Sequence, residues 1–169
     1  MRLRDEGEVG HIGVAGGDVH VMSRYLELGV FEVMLVHNRW TIVDRSAGEL
    51  IGRAAASGVA VTNAAVYGGG ILANRAGASA QYGYRPASSA TLDAIARMSE
   101  LCSRWGTDLP TAALQFSLRD SRVCFTVIGI SKKRRLDGLL EAARDEIAQE
   151  FWDELENLVP APQHWLDAR

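Results

Sequence analysis

Four times along this chain a short β-branched or aromatic run gives way to apolar residues at helical spacing, and this recurrence constrains the fold more than any other feature. His11-Ile12-Gly13-Val14-Ala15 leads to Asp18, an N-cap, and to a helix that buries Met22, Tyr25 and Leu26 and stops at Gly29. Phe31 to Val36 is the second run, followed by Ser46-Ala47-Gly48-Glu49, a capping box that opens a helix ending at Gly58. The third, Val59 to Asn63, runs into Tyr67-Gly68-Gly69-Gly70 and a long Gly-rich passage to Ser88 and Ser89, too long for a mere connector. Leu92, Ile95, Leu101, Cys102 and Trp105 then mark one helix face, and Pro110 starts a further helix carrying Ala113, Phe116 and Leu118. Phe125 to Ile130 is the fourth strand, with Ser131 as N-cap of a helix whose apolar face is Leu136, Leu139, Leu140 and Ala143. Ile147, Phe151, Leu155 and Leu158 form a last amphipathic helix, closed by Pro160, while Leu3 to Gly7 reads as the final turn of a helix with Gly7 past its end. Strand-helix units in series imply an α/β fold with a parallel sheet. Periodicity alone fits both an open doubly wound sheet and consecutive units of a (β/α)8 barrel.

With 169 residues, 47% of them hydrophobic, the chain has the size and the core of one ordinary domain. A net charge of -3 with both signs interspersed argues against nucleic acid or an anionic membrane as partner. The first residues, MRLRDEGEVG, carry no apolar signal segment, and no apolar run approaches the length of a membrane span, so the expected location is the cytoplasm. Cys102 on a helical stripe and Cys124 beside a strand read as buried small hydrophobes rather than a disulfide or metal pair, and no spacing suggests a metal site.

Lys132, Lys133, Arg134 and Arg135 place four cations in the first turn of the helix that Ser131 caps. Free N–H groups and the helix dipole already make that end positive, so the cluster reads either as a phosphate site or as a solvated basic turn.

Several stretches together resemble the aldo-keto reductases, in particular the branch acting on sugars and small aldehydes: LRDEGEVGHIGVAG, HNRWTIVDR, VTNAAVYGGGIL, AALQFSLRD and IGISKKRRLDGLLEAA. The resemblance runs from Arg2 to about Pro160 and covers the second half of that family's fold, a TIM-type (β/α)8 barrel. It implies that the four strands are the barrel's fifth to eighth and that residues 1–169 are one partial NADP-dependent oxidoreductase domain whose N-terminal half is missing. The family's Asp, Tyr, Lys and His tetrad belongs to earlier strands, so no catalytic residue is assigned here; His37 and Tyr67 read as a structural histidine and a loop aromatic.

The resemblance carries over the cofactor half. Ser131, Lys132 and Arg135 match the hydroxyl and basic positions that hold the 2′-phosphate of NADP(H), and Gly68, Gly69 and Gly70 match the loop whose backbone faces the pyrophosphate. Three departures stand beside these matches. Ala15-Gly16 replaces a Ser-Asn pair at the nicotinamide carboxamide, Ala64 replaces a stacking tyrosine, and Gly138 and Leu139 replace an acid and an amide that grip adenine. Expected partners are therefore a nicotinamide dinucleotide and, in a complete barrel, a small carbonyl or sugar substrate. A half-barrel would also leave open sheet edges at His11 to Ala15 and Phe125 to Ile130, inviting self-association. Other readings of the chain are a non-catalytic half-barrel interaction module and a different phosphate-binding α/β barrel enzyme.

Overall fold

The computed structural model describes residues 2–73, 81–130, 132–133 and 135–168. In chain order the elements are α1 (Arg2–Asp5), β1 (Gly13–Gly16), α2 (Val19–Glu27), β2 (Val33–His37), α3 (Gly48–Ala56), β3 (Ala60–Ala64), a 3-10 turn (Gly68–Gly70) and a short hairpin of β4 (Gln81–Tyr82) and β5 (Arg85–Pro86). After these come α4 (Ser89–Arg104), α5 (Leu109–Leu118), β6 (Val123–Val127), α6 (Arg135–Arg144), α7 (Gln149–Glu156) and a 3-10 turn at Pro162–His164. The strands β1, β2, β3 and β6 form one parallel sheet in that order, so β1 and β6 are its edges.

Local chemistry explains most of the boundaries. Asp18 caps α2 by accepting from the backbone N–H groups of His20 and Val21 at 2.9 and 3.0 Å, and Asp108 caps α5 through Thr111 at 2.8 Å, with Pro110 in the first turn. Gly7, Gly29 and Gly58 end their helices with φ of 77°, 63° and 73°, the left-handed conformation that a Cβ disfavours. Ser88 Oγ accepts from Thr91 N at 3.1 Å at the start of α4. Ser88→Ala is expected to destabilise the fold by about 1 kcal/mol in urea titration, the usual loss for an N-cap hydroxyl; an unchanged midpoint would mean that α4 is held by packing alone.

Four expectations need correction. Tyr25, expected on the buried face of α2, is 41% exposed. The residues Ser46 to Glu49 do not form a capping box: Ser46 Oγ and N both donate to Asp44 Oδ1, at 2.5 and 2.9 Å, and the helix starts from Ala47 without a side-chain cap. The Asp44 carboxylate outcompetes the neutral partner that a capping box would offer. Helix α6 begins at Arg135, so Lys132 and Lys133 precede the first turn instead of crowding it. Cys124, read as buried, is exposed, because the register between β3 and β6 shifts from Val61–Val123 to Thr62–Phe125 and leaves Cys124 as the extra residue of a bulge on an edge strand.

Two cores flank the sheet's helix side. Met34, Val36 and Val61 from the strands pack with Met22, Leu50, Ile51 and Ala54 from α2 and α3. A larger cluster joins Met98, Leu101, Ala112, Phe116, Phe151 and Leu155 from α4, α5 and α7 to Ile42, Val43 and Leu72. Side chains alternate along a strand, so the partners Gly13–Val33, Ala15–Leu35 and Thr62–Phe125 line the opposite face.

Candidate functional site

In a parallel sheet the loops after the C-terminal strand ends gather on one side, the usual place for a ligand. The turn after β3, the start of α5, the segment after β6 and the start of α6 enclose there a cleft of about 550 Å³. That volume lies within the range of about 300–1,000 Å³ typical of small-molecule sites. Its lining includes Tyr67, Gly69, Gly70, Asp108, Thr111, Ile128, Ile130, Arg135, Gly138 and Leu139.

The cleft joins the adjacent Gly69 and Gly70 to Arg135, which is far from them in sequence; all three were expected to serve one ligand. Gly69 is exposed at φ 76°, and a Cβ built on it would meet nothing within 4 Å, so its backbone stands open. The other two glycines of the turn are engaged differently. Gly68 N donates to Ala65 O at 2.8 Å and Gly70 N to Tyr67 O at 2.9 Å. Gly68 is buried outside the cleft lining, where a Cβ would lie 2.5 Å from the Tyr82 ring; its glycine character therefore serves packing. Lys132 is exposed and also outside the lining. Ser131 lies outside the described residues, as does Arg134.

Gly138 and Leu139 face the same cleft, on the first turns of α6, and a Cβ at Gly138 would have open space around it. The departures from the family pattern at these positions thus fall inside the site. Sequence reading missed Asp108 and Thr111, whose signal was available: an Asp two residues before Pro110, at the start of a helix entering the cleft. Tyr67 stands half-buried beside them. Burial first, and the Asp108 charge second, push its phenol above the ordinary tyrosine value.

His37, at the C-terminal end of β2, is not among the cleft residues. Its Nδ1 lies 3.1 Å from Asn38 Nδ2, which makes it the acceptor, and its ring meets Tyr84 edge-on at 6.3 Å. Burial, then the charge of Arg39, lowers its pKa. A neutral, hydrogen-bonded imidazole matches the structural reading given to it. Near it a polar clasp holds the C-terminal segment: Asp167 accepts from Arg39 Nε and Nη2 at 3.1 and 3.0 Å and from Val19 N at 3.0 Å, while Asp44 accepts from Leu166 N at 2.8 Å. Among the described residues there is no group of His, Cys, Asp and Glu able to hold a metal ion, and no helix long and apolar enough to cross a membrane.

Comparison with known proteins agrees with this arrangement. The chain is 27% identical over 165 residues to a D-threo-aldose 1-dehydrogenase of a Pseudomonas species, covering 95% of this chain and 50% of that protein. It is 26% identical over 154 residues to a pyridoxal 4-dehydrogenase of Microbacterium luteolum, covering 90% and 45%. The chain therefore spans about half the length of the curated relatives it matches. In fold it is similar to an aldo-keto reductase of Bacillus halodurans in its apo form, with a TM-score of 0.77 at 20% identity over 99% of this chain and 57% of that one. It also resembles a glycerol dehydrogenase of Gluconobacter oxydans, with a TM-score of 0.71 at 14% identity over 95% and 53%. The family model for the aldo/keto reductase family matches residues 1–160, and with nearly the whole chain so matched, this protein belongs to the aldo/keto reductase family.

Proposed function

We propose that residues 1–169 supply the NADP(H)-binding half of an aldo-keto reductase that interconverts a small carbonyl compound or aldose with its alcohol or oxidation product. On this reading β1, β2, β3 and β6 are the fifth to eighth strands of the barrel, and the catalytic Asp, Tyr, Lys and His belong to the half that this chain does not supply. The observation that carries the proposal is the single cleft joining the Gly69-Gly70 turn to Arg135.

The cleft suits such a cofactor. Gly69 allows close backbone approach, and Arg135, at the start of α6, adds a fixed cation where the helix dipole already favours an anion. Ile128, Ile130 and Leu139 give apolar walls. Bound there, the nicotinamide ring would supply the hydride chemistry, and this chain's residues would hold and orient the dinucleotide. The open space at Gly138 means that the base is gripped less closely than by a larger side chain at that position. Cys102 and Cys124 are free thiols, as suits a reducing cytoplasm.

Arg135→Ala is expected to weaken NADPH binding about tenfold and leave NADH almost unchanged, because only NADPH carries a phosphate for the guanidinium to hold. A well-made charge-assisted hydrogen bond contributes about 1.5–3 kcal/mol, and the exposed, screened position favours the lower end. Lys132→Ala should act more weakly, since Lys132 lies outside the cleft lining. Calorimetric titration at low salt measures both. Equal losses for the two cofactors, or no binding of NADPH by the parent chain, would refute the proposal.

A further inference from the structure

Among the described residues lining the cleft only two side chains carry a charge, Arg135 at the start of α6 and Asp108 at the start of α5. Asp108 is exposed, and its Oδ1 accepts from Thr111 N at 2.8 Å to cap the helix. That bond fixes the carboxylate and leaves Oδ2 without a hydrogen bond or ion pair among the described residues. A carboxylate held in place and open on one side can accept a further donor. Beside it α5 and α6 form a slot of fixed width, because Gln115 Nε2 donates to Ala142 O at 2.7 Å, one turn beyond Thr111 on α5 and Gly138 on α6. Pro110, Leu139 and Ala142 give this slot apolar walls, and the open space at Gly138 admits a flat ring.

We propose, on the reading of this cleft as a dinucleotide site, that Asp108 Oδ2 accepts a hydrogen bond from the 6-amino group of adenine and so selects the base. In NADP(H) the adenine and the 2′-phosphate sit on neighbouring carbons of one ribose, and the pyrophosphate leaves from the far side of that ring. With the phosphate at Arg135 and the pyrophosphate at Gly69 and Gly70, the base falls into the remaining part of the cleft, between α5 and α6. There α6 presents Gly138 and Leu139, which have no polar side-chain atom, so the acceptor has to come from the α5 wall. Asp108 is the acid on that wall. A charged acceptor makes a hydrogen bond about twice as strong as a neutral one, and an amino group enclosed in the slot without an acceptor would lose its water partners uncompensated. The same carboxylate disfavours a base with a carbonyl at position 6, which would meet it lone pair to lone pair. It would also repel a phosphate, which leaves Arg135 as the phosphate contact and Asp108 as the donor's partner.

Calorimetric titration of the 169-residue chain with NADPH and with its 6-oxo analogue, reduced nicotinamide hypoxanthine dinucleotide phosphate, tests the assignment. The parent should bind NADPH about tenfold more tightly than the analogue. Asp108→Asn keeps the cap, because the amide oxygen can still accept from Thr111 N, and it turns the free acceptor into an NH2 donor. This variant should bind NADPH about tenfold more weakly and the analogue more tightly than the parent does, at an unchanged urea midpoint. Arg135→Ala should weaken both ligands alike and leave the preference between them intact, which separates the base contact from the phosphate contact. A parent that binds both ligands equally would overturn the assignment while leaving the cleft a dinucleotide site. So would an Asp108→Asn variant that weakens both equally, a result that would place the carboxylate on a ribose hydroxyl. Binding of neither ligand by the parent would overturn the dinucleotide reading itself, and the base contact with it.

Discussion

Asp167→Ala is expected to cost the fold about 3 kcal/mol, a loss out of proportion to a residue near the C-terminus. The carboxylate is 5% exposed and meets the guanidinium of Arg39, itself 9% exposed, through two parallel N–H donors. It also takes the N–H of Val19, the first residue of α2. Removing it leaves a buried cation and a buried amide with no replacement, which is the expensive way to break an ion pair; solvated pairs such as Arg2–Glu6 contribute far less. The loss should appear as a lower urea midpoint and a melting temperature reduced by about 2–4 °C per kcal/mol for a chain of this size. The comparison must be made at fixed protein concentration, because any association shifts apparent stability. The double variant Arg39→Met/Asp167→Leu should recover much of the loss, since neither charge is then stranded. Asp167→Ala unfolding at the parent's midpoint would show that the C-terminal segment is not clasped in solution.

That clasp also marks where sequence reading stopped. The four strands and the cap at Asp18 were legible, because each depends on a few neighbouring residues: β-branched runs for the strands, a short polar side chain one residue before the helix for the cap. The capping box was misread because its serine had a better acceptor two residues earlier, in a carboxylate whose position is fixed by Leu166 at the far end of the chain. The Arg39–Asp167 pair, and the buried Tyr82 hydroxyl bonded to Thr41 at 2.8 Å and to Asn38 O at 2.5 Å, leave no local signature, since the partners lie 41 or more residues apart. The bulge at Cys124 is likewise a property of pairing between two strands and not of either alone.

At the candidate site, family resemblance reached further than periodicity. A glycine triplet and a basic run do not reveal that they share a cleft; the arrangement of loops after β3 and β6 brings them together. Nor does the triplet show that its glycines differ in role. Gly69 opens backbone to the cleft, whereas Gly68 makes room for the Tyr82 ring, whose position depends on the hairpin of β4 and β5.

With its strands as the fifth to eighth of the barrel, the 169-residue chain should consume NADPH no faster than buffer against a panel of aldehydes, even where it binds the cofactor. Hydride delivered to a carbonyl carbon builds charge on the oxygen, and a positioned acid that quenches it is typically worth about 10²–10⁴ in rate. His37 and Tyr67, the candidates that follow sheet strands, are poorly placed or poorly poised. His37 lies outside the cleft, and a pKa lowered by burial and by Arg39 keeps it neutral near pH 7. Tyr67 does line the cleft, but burial and the Asp108 charge both raise its pKa, so its phenol holds the proton more tightly than an ordinary tyrosine and is the weaker acid for it. Following NADPH absorbance with freshly repurified protein measures the rate. Turnover that persists through repurification and vanishes in Tyr67→Phe would place the proton donor at Tyr67 and show that this half of the barrel carries its own acid.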